Sequence, residues 1–501
     1  MDRNYNSVLI GNGLDIQVGG DDYLNKWIIV RLLAKAKMGK YDILFMDSQD
    51  SRPLITGDEI IELFSNMVGI ANKARKNEYK DLAETYGDKD LIDTLKDFEK
   101  NHTCEIRSIE EIGMEDWFLI LLLFLIEHED ILDQYELIKK GFERMIFDAI
   151  YCEGNIQQLH SKMNKSSKLY FSNFDNIFTL NYDNTIEKLT NRTVFHLHGD
   201  FKTKYHSENS QNAHGYLRLQ KGQNIWFPPQ FEHCNCSAIL DFNGNRKYKY
   251  TSDMTKAFLE FEKLKERVKN NKVEVENILN KLPAEQRELV NIGVEKNLHI
   301  GHDYHFQDFE QMTGTLEIIG LAPQNDSHIF SCINKSNINS VVFYHYFGTK
   351  SDDEIESEIK AISLPINKPY VIENVKIIWD KIRVCKPNKQ NYALSVAQLD
   401  LLNALCPQKP ITMDDILWQL SSIPALTRRV ILDMLTFEIS KSYYHTTTTT
   451  EKEFFARFIE FGKTIKVAAI SPQVLYYIYI TGLQSNNKMS HSKNKKRKRK
   501  K

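Results

Sequence analysis

The chain has 501 residues, of which 42% are apolar and 11% aromatic, at a formal net charge of −2. That is enough apolar material for two or three packed domains and excludes global disorder. Eight positive charges fall within residues 493–501, which leaves residues 1–492 at −10 and argues against a broad nucleic-acid-binding face on the body of the chain.

Val8-Leu9-Ile10 reads as a short buried strand that runs into Gly11-Asn12-Gly13-Leu14-Asp15. Over residues 21–38, Leu24, Ile28, Ile29, Leu32 and Leu33 recur at helical spacing. The run from Ile43 to Met46 suits a second strand. Residues 57–160 carry a mostly helical pattern. Within them the apolar run from Trp117 to Ile126 is too short to span a bilayer and fits a buried helix. Strand-like runs return from Ile177 to Leu180, ending at Asn181-Tyr182-Asp183, and from Val194 to Leu197, ending at His198-Gly199-Asp200, with a helix expected between them over 183–189. Residues 201–250 are irregular. Residues 253–281 predict a charged amphipathic helix with Phe258, Phe261, Leu264 and Val268 on one face. Strands are expected from Leu316 to Gly320, from Val341 to Tyr344 and from Val375 to Trp379, with a helix over 352–362. Beyond about residue 390 the pattern is helical only, divided by Thr446 to Thr450. The tail from Gln484 is polar, then basic, and is expected to be disordered.

Alternating strands and helices predict an α/β fold: a Rossmann-like, largely parallel sheet with helical insertions, followed by a smaller all-α domain. The expected divisions are 1–383, with insertions at about 57–160 and 201–310, then helices at 384–484 and the tail at 485–501. The seven cysteines are scattered and odd in number, unlike a disulfide framework, and Met1 to Ser7 is too polar for a signal peptide. A reducing, cytoplasmic setting without a membrane is expected.

Polar groups sit where strands end. In open α/β sheets that is where ligands bind, so Gly11-Asn12-Gly13, Asn181-Tyr182-Asp183 and His196-Leu197-His198-Gly199 point to a shared nucleotide site. A helix cap accounts for Asp183 but less well for Asn181, two residues earlier. Of the two histidines, His198 is favoured, because Gly199 permits close ligand approach. His233-Cys234-Asn235-Cys236 lacks the second ligand pair that zinc sites usually have, and no metal is expected.

Taken in order, Gly-Asn-Gly, Thr-Leu-Asn-Tyr-Asp, His-Leu-His-Gly-Asp and Glu-Ile-Ile-Gly-Leu before Asn325-Asp326 resemble the sirtuin-like family, most of all the bacterial members of anti-phage defence. The first and third blocks are also similar to AbiH-type abortive infection proteins. The resemblance spans roughly residues 5 to 380 but rests on four short blocks. It implies NAD+ as substrate, hydrolysed to nicotinamide and ADP-ribose so that an infected cell loses its NAD+. It implies Asn181 and His198 as the catalytic pair. Gly11, Asn12, Gly13, Asp15, Asp183, Gly320, Asn325 and Asp326 would line the nucleotide site. The four-cysteine zinc module of classical sirtuins is missing from the sequence, so protein deacylation is not expected. A homo-oligomer or a partner defence subunit, a phage-derived trigger, and nucleic-acid contact through the basic tail alone complete the expectation. Its competitors are a nucleotide-sensing module without turnover and a nucleic-acid-associated defence effector.

Overall fold

A computed structural model describes residues 5–46, 52–86, 89–128, 133–206, 216–217, 228–240, 244–270, 277, 279–295, 299–323, 326–382, 399–400, 403–404, 409, 411–443 and 451–482. Among these residues, six strands form one parallel sheet: β1 (Asn6–Ile10), β2 (Asn176–Thr179), β3 (Phe195–His196), β7 (Thr313–Ile319), β8 (Asn337–His345) and β9 (Tyr370–Asn374). Three two-residue strands, β4 (Tyr205–His206), β5 (Tyr216–Leu217) and β6 (His299–Ile300), make a separate small sheet within the expected second insertion. The main sheet runs β3-β2-β1-β7-β8-β9, all pairs parallel. Counting only its own strands, this is the doubly wound order 3-2-1-4-5-6, and the reversal falls between β1 and β7. The α/β, Rossmann-like expectation therefore holds.

Register fixes where the strands stop. Ile10 lies beside both Thr179 and Ile319, Thr179 beside His196, and Ile319 beside Tyr344. The residues that follow, Gly11, Leu180, Leu197 and Gly320, thus form one edge. The alternation of side chains splits the core between the two faces of the sheet. Val8, Ile10, Ile177 and Ile319 join the larger cluster, while Leu9, Phe178, Ile318 and Phe343 join the smaller.

The larger face is covered by helices from three parts of the chain. Asn25–Lys37 packs against Gly57–Arg75, Tyr135–Tyr151 and Ala425–Tyr443. It is buried from Trp27 to Ala36, and its two charged residues there are paired. Arg31 donates to the carbonyls of Asp22 (2.7 Å) and Ala149 (3.1 Å) and to Thr427 Oγ1 (3.0 Å). Asp22 in turn accepts from the backbone N–H of Thr427 (3.0 Å), satisfying a donor at the start of Ala425–Tyr443. The described carboxyl-terminal helices thus share the core of the amino-terminal ones. Trp117–Glu127 is the buried helix expected from its apolar run, and no helix among the described residues is long and apolar enough to cross a membrane.

Two expected strands take other forms. Ile43 to Met46 falls largely in a 3₁₀ turn, Asp42–Phe45. Four apolar residues carry no period of their own, and Phe45 seats against Gly141, where an added Cβ would lie 2.6 Å from its ring. The last strand is Tyr370–Asn374, and Val375 to Trp379 opens the helix Lys376–Ile382 instead. Asn374 Oδ1 accepts from Lys376 N–H (3.0 Å), and the buried Val375, Ile378 and Ile382 follow a helical period. The charged helix expected over 253–281 runs Gly244–Asn270. Thr446 to Thr450 and the basic tail lie outside the described residues.

Candidate functional site

The sheet reversal is closed by backbone. Gly11 and Gly13 donate their N–H groups to the carbonyls of Ile319 and Gly320, both at 2.9 Å. A Cβ on Gly13 would sit 2.5 Å from Gly320 Cα, and Gly320 holds a left-handed φ of +74°. Those glycines let the β1 and β7 turns interlock, and these two N–H groups are spent on that contact rather than presented to a phosphate. Asn12 is exposed and reaches the Tyr23 carbonyl at 3.4 Å.

Beside this crossing, two strand ends bring Asp15, Asn181 and Asp183 together. Asp15 lies one turn into the helix Gly13–Gly19, while Asn181 and Asp183 follow β2. All three are buried and, with Ile10, Thr179 and Thr185, line a cavity of about 10 Å³, which is room for about one water. Asp183 accepts from Thr185 N–H (2.7 Å) at the start of the helix Thr185–Thr190, so it does cap, as one reading of the sequence had it. One carboxylate oxygen of Asp15 has no hydrogen-bond partner. Burial, reinforced by the neighbouring charge of Asp183, pushes the Asp15 carboxyl well above the usual carboxylate range. Asp183 is raised too, again by burial. Two carboxyls so placed disfavour simultaneous ionisation.

The chain turns after Leu197, as Gly199 takes a φ of +76° and donates to the His196 carbonyl at 3.3 Å. A Cβ on Gly199 would strike the Ser237 carbonyl. The two histidines therefore part. His196 donates from Nδ1 to the Asn181 carbonyl (2.9 Å) and from Nε2 to Glu187 Oε1 (2.5 Å). Burial opposes its charge, but Glu187 outweighs that and raises its pKa to about 9. It is a cationic brace under Asn181. His198 stands apart, with Nε2 3.0 Å from His328 Nε2 and 3.9 Å from Asp326 Oδ1. Burial, then the charge of Lys247, holds His198 well below the usual histidine range and His328 at about 3, so both rings are neutral. Lys247 pairs with Glu115 at 3.1 Å. Burial raises Asp326 to about 7.

The nominated residues thus fall into three groups: the glycine crossing, the Asp15–Asn181–Asp183 cluster, and His198 with Asp326. Asn325 lies outside the described residues. Sequence reasoning missed His328, Lys247, Glu115 and Glu187. His328 alone left a local signal, since it stands two residues past Asp326 at the head of the helix Ser327–Lys335. His233 is taken by Asp148 (2.9 Å) and Cys234 bonds the Arg144 carbonyl (3.3 Å), so that segment braces the fold. The five described cysteines are all free. Comparison of the chain with family models, curated proteins and solved structures returns no match.

Proposed function

We propose that the chain binds a nucleotide at the reversal of the sheet and hydrolyses the nicotinamide–ribose bond of NAD+, acting in anti-phage defence by depleting it. The observation that carries this reading is the Asp15–Asn181–Asp183 cluster: polar, buried, delivered by separate strand ends beside the β1–β7 reversal, and holding an unpartnered carboxylate oxygen. Few stable proteins keep such a group without a use for it.

The chemistry suits these side chains. Nicotinamide leaves as a neutral base from a pyridinium, so no strong acid is required, and positive charge develops on the ribose as in glycoside cleavage. A carboxylate of the Asp15–Asp183 pair stabilises that charge. The Asn181 amide orients the attacking water, with its backbone held by His196. His198, which stands apart from the closed cluster, takes the water's proton only after the site opens, since His196 is already committed to two acceptors. The cavity now admits about one water, so the cluster must open before a ribose enters. An enzyme silent until a trigger arrives would have this form.

The test is nicotinamide release by the purified full chain, with and without lysate of phage-infected cells. Asn181→Ala is expected to lower release by about 100-fold or more. Bound NAD+ with no release under either condition would replace this reading with the sensor without turnover.

A further inference from the structure

His198, Asp326 and His328 converge from distant parts of the sheet. His198 follows β3, whereas Asp326 and His328 follow β7, and β2 and β1 lie between. The loops therefore reach across the ends of two strands to meet. One potential ligand atom from each side chain lies within 4.8 Å of the other two. Hydrogen bonding explains this meeting poorly. His328 is 1% exposed, its Nδ1 has no partner, and its Nε2 faces another imidazole nitrogen at 3.0 Å. Two rings are desolvated there for a single N–H···N contact between them.

We infer that His198 Nε2, His328 Nε2 and a carboxylate oxygen of Asp326 bind one divalent transition-metal cation. Ligand atoms about 2.0–2.1 Å from a tetrahedral ion stand about 3.3 Å from each other, and the observed 3.0 and 3.9 Å bracket that spacing. Two imidazoles and one carboxylate suit zinc, cobalt, iron or manganese rather than calcium or magnesium. Lys247 and Glu115 form an ion pair of zero net charge beside the site, leaving Asp326 to offset the cation. Three protein ligands leave a coordination position open, the pattern of reactive rather than structural zinc centres. This reverses the sequence expectation of no metal, which weighed only the His233–Cys236 segment.

The inference stands apart from the hydrolase reading. A bound cation takes the Nε2 lone pair that would otherwise accept a proton, so on any one molecule His198 serves one of the two roles. The experiment uses the full chain loaded with Co²⁺ and no nucleotide, read by visible d–d absorption, with competition by Zn²⁺ and metal content by mass spectrometry. One Co²⁺ per chain is expected, with a rise in Tm on loading. His328→Gln and Asp326→Asn, each close in shape to the original, should each weaken binding by more than the ~10–100-fold typical of losing a mere supporting partner, and should abolish the Tm rise. The double change Asp303→Asn, His305→Gln at the more exposed Asp303–His305–Asp308 group should leave affinity unchanged. Absent d–d bands, substoichiometric metal, variants that bind like the parent, or affinity that follows the Asp303–His305 change would each overturn the inference. Because no nucleotide is present, a failure here leaves the hydrolase reading standing, whereas binding would remove His198 as the base in the metal-loaded molecule.

Discussion

Asp15 shows what an ionisable group costs when a fold buries it. Its carboxyl is buried, faces Asp183 and leaves one oxygen unpartnered. Since burial holds its folded pKa above the usual carboxylate range, its ionisation is a penalty. That penalty is absent below about pH 4 and grows as pH rises toward the folded value. Asp15→Asn should therefore stabilise the chain by about 0.5–2 kcal/mol at neutral pH and leave stability near pH 3 unchanged, while nicotinamide release falls. Denaturant unfolding at both pH values decides it; a loss of stability at pH 7 would contradict the assignment. Asn181 and Asp183 were legible in the sequence because polar residues just after apolar runs stand out, and Asp15 because it closes the Gly-Asn-Gly-Leu-Asp block. His328, Lys247 and Glu115 were not. Each lies in or beside a helix where a charged or polar residue reads as solvated, and only the tertiary fold turns it inward.

At the scale of elements, the sequence predicted the strands that matter, because parallel strands buried on both faces read as continuous apolar runs. It failed where a short run carried no period, as at Ile43 to Met46, or where one polar residue, Asn374, switched strand to helix one turn earlier than the pattern suggested. Glycines also concealed their task. A Gly-Asn-Gly turn suggests phosphate, yet Gly13 and Gly320 touch each other through backbone. Gly13→Ala must push apart the turns that follow β1 and β7, and neither partner is a side chain that can swing away. It should cost about 1–3 kcal/mol or more, seen as a lower urea midpoint at unchanged slope. A midpoint equal to the parent's would mean the crossing is looser than described.

Across the whole molecule, buried charges tie the layers. Asp148 accepts from Lys35 (2.6 Å), Tyr41 (3.0 Å) and His233 (2.9 Å), which joins two core helices to a segment within residues 201–250. Burial alone would raise its pKa, but the His233 hydrogen bond and the Lys35 charge hold it at about 2. Its stabilising contribution is therefore complete above about pH 4 and is lost as pH falls through about 2. Asp148→Asn, which strands Lys35, should cost about 3–5 kcal/mol at neutral pH and flatten the acid limb of the stability curve; an unchanged acid limb would remove Asp148 from this role. The pairing of β1 with β7 has a different consequence, in time rather than energy. Ser7 meets Leu316, so the two central strands are separated by about 300 residues of synthesis. At about 5–20 residues per second the ribosome needs roughly 15–60 s to supply that partner. Until then Asp15 and Asn181 have no finished crevice to act in. On the proposed NAD+-hydrolysing reading, a nascent chain therefore carries no assembled site until the residues around Leu316 have emerged.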